Sequence, residues 1–171
     1  MRYITLTLMA SLFLLAGCSG TSANHDHGDN LTHLAKSTQP EAPAVVPTAE
    51  KSTAQALMLD GPKETKGINS VLKLAKIELG EEFKGMEGQQ LRVRELVIAP
   101  GGIVAVHQHN KRPGVAYIIE GEMTEHRDGE KNPIVHTAGS VAVEHTGVSH
   151  WWENKGEKPA RALIIDILPT P

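Results

Sequence analysis

"HQHNKRPG", residues 107–114, sets two histidines two positions apart and follows them with Pro113 and Gly114. On an extended strand side chains alternate between faces, so His107 and His109 point the same way. Two readings are open on these residues alone. The pair is either a couple of polar residues on the wet face of a strand, or two imidazoles aimed together at a common target.

The chain has 171 residues, enough for one domain with a real core and no need of a second. Its formal net charge is −3, and no Lys/Arg run or basic stripe interrupts it, which argues against a nucleic-acid partner. Cys18 is the sole cysteine, so no internal disulfide forms and the folded part is held by packing.

Residues 1–17 have the layout of a secretory signal: Arg2, an apolar run from Ile4 to Leu15, then small residues, too short for a spanning helix. Leu15-Ala16-Gly17-Cys18 resembles the bacterial lipoprotein lipobox. That resemblance implies cleavage before Cys18, lipid on its sulfur and an exported protein anchored in the envelope. Ser19 leans the destination toward the outer membrane. Residues 18–60 are expected to be a flexible tether, since they hold no aromatic residue and are broken by Pro40, Pro43 and Pro47. His25, His27 and His33 in this stretch read as solvated linker residues, with a weak metal-collecting tract as the alternative.

From Gly61 the texture changes to short apolar or alternating runs, such as "QLRVRELVI", "IVAVHQH", "VAYIIE" and "ARALIIDIL", separated by "APGG", "RDGE" and "NKGEK". Many short strands at close spacing predict an all-β sandwich or barrel over residues 61–171. "SVLKLAKIELGEEFKG" is read as strand, because Gly80 and Gly85 cut any helix short.

Gly101, His107, His109 and Gly121, then Gly139, Gly147, His150 and Asn154, give the histidine pair its context. Their spacing resembles the two sequence motifs of the cupin superfamily, and "RPGVAYIIEGEMTEHR" with "HWWEN" is similar to small single-domain bacterial cupins of the quercetinase-like type. The resemblance implies a double-stranded β-helix, the jelly-roll barrel. In it His107 and His109 project from one strand and His150 from another toward one divalent transition metal, which the sequence does not distinguish among Fe, Mn, Ni, Zn and Cu. The four glycines would sit at turns that need positive φ or close backbone approach. Cupins commonly pair through sheet edges, which implies a homodimer.

Two positions depart from the family pattern. Gly114 stands where the motif has its glutamate, with empty space expected between it and the ion. His145 stands where the second motif has proline, and reads either as a fourth ligand or proton shuttle, or as a solvated turn residue. Glu120, Glu122 and Glu144 are carboxylates near enough in sequence to substitute, or else hydrated strand-end residues. Trp152 shares the His150 face by parity and Trp151 faces the other way. His126 and His136 read as surface residues. Three neutral imidazoles leave an ion its full +2 charge, so the expected ligand is a small anionic or enolic molecule. The function expected is a metal-dependent dioxygenase- or isomerase-like enzyme. The alternatives are a non-catalytic metal- or small-molecule-binding protein of the envelope, and a metal-free structural cupin.

Overall fold

A computed structural model describes residues 44–170. The expected signal, Cys18 with its expected lipid, and His25, His27 and His33 of the expected tether lie outside the described residues.

The described chain opens with a strap and a short helix, α1 (Thr48–Ala56), and continues through β1 (Lys66–Glu78), α2 (Leu79–Glu82), β2 (Gln89–Gln108), β3 (Gly114–Glu120), β4 (Glu122–Arg127), β5 (Ile134–Thr137), β6 (Val141–Glu144), β7 (Ser149–Glu153) and β8 (Ala160–Pro169). Every pairing is antiparallel, in the order β5-β4-β7-β2-β8-β3-β6, with β1 added to β2. The sheet curls into a nearly closed jelly-roll barrel, as expected. The stretch read as strand before Gly80 is β1.

Period-two patterning builds the interior. On β2, Arg94, Leu96 and Ile98 are buried, and on β8 Ala160, Ala162 and Asp166. Small alanines on β8 and β3 leave room for Trp152, Met123 and Ile118 in the same core. β2 is one long strand bent at Pro100–Gly102, where Gly101 has φ 70°. Its first half pairs with β1 and β8, its second with β7. A register shift between Val104 and His107 breaks the alternation, and Ala105, Val106 and His107 are buried in succession. Such an irregularity re-aims side chains. Here Val104 faces the core and His107 faces the same interior three residues later. Gly121, Gly139 and Gly147, like Gly101, have positive φ, matching the turns assigned to them.

The tether expected to run to residue 60 ends earlier. Val46 is 5% exposed inside the barrel core, and Ala54 and Glu50 of α1 are buried. The prolines that argued against a helix lie before it: Pro47 is the N-cap residue of α1, a position where the missing N–H costs nothing. Beyond α1, the Pro62 carbonyl accepts from Val106 N at 2.8 Å and the Thr65 hydroxyl from Ala105 N at 3.0 Å. Residues 44–65 are thus part of the folded unit.

Candidate metal centre

His107, at the end of β2, and His150, on β7, are cross-strand partners. His109 follows β2 and is fixed by two backbone hydrogen bonds, its N–H to Val148 O and its carbonyl from Gly147 N, both 2.8 Å. All three imidazoles are buried, at 4%, 1% and 1% exposure. Their Nε2 atoms converge: His109 to His150 at 3.1 Å and His150 to His107 at 3.2 Å. They are the cluster of potential metal ligands found among the described residues, with ligand atoms all within 4.8 Å of one another.

The Nδ1 partners fix the tautomers. His107 Nδ1 meets Ala105 O at 2.8 Å, His109 Nδ1 meets Arg112 O at 2.9 Å and His150 Nδ1 meets a Glu125 carboxylate oxygen at 2.7 Å. All three partners are acceptors, so each Nδ1 carries the proton and, in the neutral ring, each Nε2 presents a lone pair. Burial lowers the His107 imidazole well below its usual range and brings His109 down to about 3, in the latter case aided by the Arg112 charge. Three ring nitrogens therefore meet at contact distance, with Nδ1 as the protonated nitrogen of each neutral ring. That arrangement is costly by itself and fits a cation. Two nitrogens held at about 2.0–2.1 Å on one ion in neighbouring positions stand about 2.8–3.4 Å apart, and the observed separations fall in that interval.

Glu125, on β4, supports the cluster. It is fully buried, and its carboxylate accepts from His150 Nδ1, from Arg127 Nε at 2.7 Å and from His136 Nε2 at 2.9 Å. Burial pushes Glu125 up, but these donors outweigh it and hold the carboxyl at about 2. A carboxylate behind a ligating histidine fixes the ring and raises its basicity. His136, expected at the surface, is 8% exposed and belongs to this network, because β5 turns its ring inward against Trp152. His126 is half-buried, stacked on Trp151 at 3.7 Å and bonded to Glu153. Trp152 is in the core beside His150, as its parity indicated.

The opposite wall is charged. Arg112 lies between the histidines and Gly114 in the opening stretch, and its Nη2 is 3.4 Å from His109 Nε2. It forks onto Glu50 of α1 at 2.8 and 2.6 Å and reaches Asp166 at 2.9 Å. Asp166 also accepts from Arg92 and Arg94. Burial lowers the Arg94 guanidinium to about 10, and its side chain bonds the Ala44 and Val45 carbonyls, tying the strap down. Between the walls lies a cavity with about 40 Å³ of free volume, lined by Val46, Val104, His107, His109, Arg112 and Glu144 among others.

Gly114 does not face open space. A Cβ there would stand 2.6 Å from Ile165 O and 3.0 Å from the Asp166 side chain, so no carboxylate extends from this position to the histidines. His145 is exposed in the turn before β7 and is not among the converging ligand atoms. Glu120 and Glu122 are exposed at strand ends, and Glu120 pairs with Arg161 instead. Glu144 is different: it is 4% exposed, with its carboxylate 3.8 Å from His109 Nε2 and 3.7 Å from His150 Nε2. Asn154 is a buried staple whose side chain donates to Ile98 O and Lys158 O and accepts from Gly156 N within its own turn.

Sequence reasoning missed Glu50, Arg112, Glu125 and Asp166. The sequence carries a signal for the last: one aspartate inside the apolar run "ALIIDIL" needs charged partners if its strand is buried.

The chain is similar to several known proteins. Residues 94–166 match the model of the Cupin domain family. An oxalate-binding protein of Thermotoga maritima is 35% identical over 71 residues, covering 42% of this chain and 57% of that protein. Germin-like protein 1 of Brassica napus is 28% identical over 93 residues, 53% of this chain and 45% of its own length. The chain thus spans about half the length of the curated relatives it matches. The solved structure of KdgF from Halomonas sp. aligns at 16% identity over 67% of this chain and 90% of that one, with a TM-score of 0.48. The stretch that matches the Cupin domain family, residues 94–166, is the one that carries the three converging imidazoles.

Proposed function

We propose that His107, His109 and His150 hold one divalent transition metal, and that a small anionic molecule binds there in an exported, lipid-anchored protein. The observation that carries the reading is the convergence of the three buried Nε2 atoms, with His107 and His109 lining the cavity. When bound, the metal would act as a Lewis acid that polarises an oxygen of the ligand. The chain's own residues do the rest: Glu125 orients His150, the Ala105 and Arg112 carbonyls orient the other two rings, and the Arg112 guanidinium stands beside His109 on the facing wall.

Cavity size narrows the ligand. A water needs about 10–15 Å³ of such volume, so ≈ 40 Å³ accommodates an ion with one or two small oxygen ligands. A small carboxylate fits this space, and the name of the oxalate-binding relative agrees with that chemistry. The same confinement favours a binding protein as the second reading beside a dioxygenase- or isomerase-like enzyme.

Metal content of the full chain purified in detergent tests the proposal. Near-stoichiometric metal is expected, with affinity lowered on the order of 100-fold or more in His107→Ala, His109→Ala and His150→Ala. Absence of metal after supplementation would replace this reading by a structural cupin. Oxygen uptake or product formation with oxalate and enolic chelators, lost in His150→Ala, separates enzyme from binder. The anchor is tested by Cys18→Ser, which should release the protein from the membrane fraction or block its processing.

A further inference from the structure

Four carboxylates are buried among the described residues: Glu50, Glu125, Glu144 and Asp166. Three are fully engaged. Glu50 is forked by Arg112, Glu125 accepts from two histidines and an arginine, and Asp166 from three arginines. The Glu144 carboxylate accepts no hydrogen bond among the described residues, although burying a carboxylate without partners is expensive. Its two oxygens instead face the nitrogens, one toward His109 and the other toward His150.

We propose that Glu144 is the fourth ligand of this metal site, supplying from β6 the carboxylate that Gly114 on β3 cannot. The inference rests on the metal reading above and adds a residue to it. Two donors on one ion lie about 2.8–4.2 Å apart, from neighbouring to opposite positions, and the two Glu144 separations fall inside that range. Gly114 and Glu144 are direct cross-strand partners, so the carboxylate enters one strand over from the motif position. The group of mutually close ligand atoms contains the histidines alone, so Glu144 must still swing toward His107. A rotamer change would bring it there, and no hydrogen bond of the carboxylate has to break for it. Coordination also answers the charge problem, since an ion near Arg112 with three neutral ligands has no counter-charge of its own.

Titrating Co(II) into the metal-stripped full chain tests this, with affinity read by competition against a chromophoric chelator and geometry by the visible absorption of the bound ion. Glu144→Gln should lower affinity at least tenfold and change the spectrum. Glu144→Ala should recover affinity and spectrum in millimolar acetate, an effect that a merely structural role would not produce. Affinity within twofold of wild type in Glu144→Gln, or Glu144→Ala without acetate rescue, overturns the proposal. In that case loss of binding in His150→Ala leaves the three-histidine reading standing, whereas His150→Ala that binds Co(II) as wild type does overturns both.

Discussion

The two walls of the cavity are built on different principles. On the histidine wall each imidazole is held by a partner of short reach: a carbonyl two or three residues away for His107 and His109, and a carboxylate on the adjacent strand for His150. On the arginine wall the bonds join residues 54 to 74 positions apart, from the strap to β8, and each guanidinium depends on a carboxylate supplied by another element. The first wall presets chemistry. The second closes the barrel and holds the strap over it. Mutations should therefore separate them, with stability lost on the arginine side and metal affinity on the histidine side.

Asp166→Asn should have the largest effect. It removes the charge shared by Arg92, Arg94 and Arg112, and breaking a buried ion pair costs about 3–5 kcal/mol because the surviving charges stay buried. Chemical denaturation at pH 7 measures this. The pH dependence has a definite sign. Burial raises the Asp166 carboxyl, but the three arginines outweigh it and hold it below its ordinary 3.8. The stabilisation is thus fully present above about pH 4 and is lost as pH falls through the depressed folded value. The variant should lose less stability than wild type over that acid range. An equal acid slope in both proteins would show that Asp166 does not carry the linkage.

Glu50→Gln comes next. Arg112 keeps Asp166 but loses its bidentate charge partner, at a cost of about 1–3 kcal/mol. The loss falls on the strap, so hydrogen exchange and proteolysis within residues 44–60 should rise while the barrel strands stay protected. Uniform destabilisation without local exposure would mean that the strap and barrel unfold as one unit.

The same division explains what could be read from the sequence. The barrel and the three histidines were legible because strand alternation, turn glycines and motif spacing are local signals, each contained within a few residues. Val46 and Glu50 were not, since their burial is decided by Arg94 and Arg112, tens of residues away, and the composition around them resembles a linker. Gly114 was misplaced for a related reason: counting along the chain located the position but not the Ile165 carbonyl that fills the space beside it. His136 reads as exposed because its hairpin is short and polar, while its inward orientation depends on Glu125 across the β4–β5 pair.

The smallest effects should come from two histidines outside the cluster, and their difference probes how far the histidine wall extends. His136 donates one of three hydrogen bonds to Glu125, so His136→Ala leaves Glu125 in place with His150 and Arg127 still bound. Removing the direct partner of a metal-binding histidine typically costs about 10–100-fold in affinity. A residue one step farther out should cost only a few-fold, with His150 still in its tautomer. His145 is exposed, and its backbone carbonyl, which accepts from Val148 N, survives substitution. His145→Ala should therefore leave metal affinity unchanged and stability within about 0.5 kcal/mol, as for other surface positions. Metal titration of the two variants beside wild type makes the comparison. Equal affinities in all three would confine the histidine wall to Glu125 and the three rings, and a loss in His145→Ala larger than in His136→Ala would return the turn before β7 to the site.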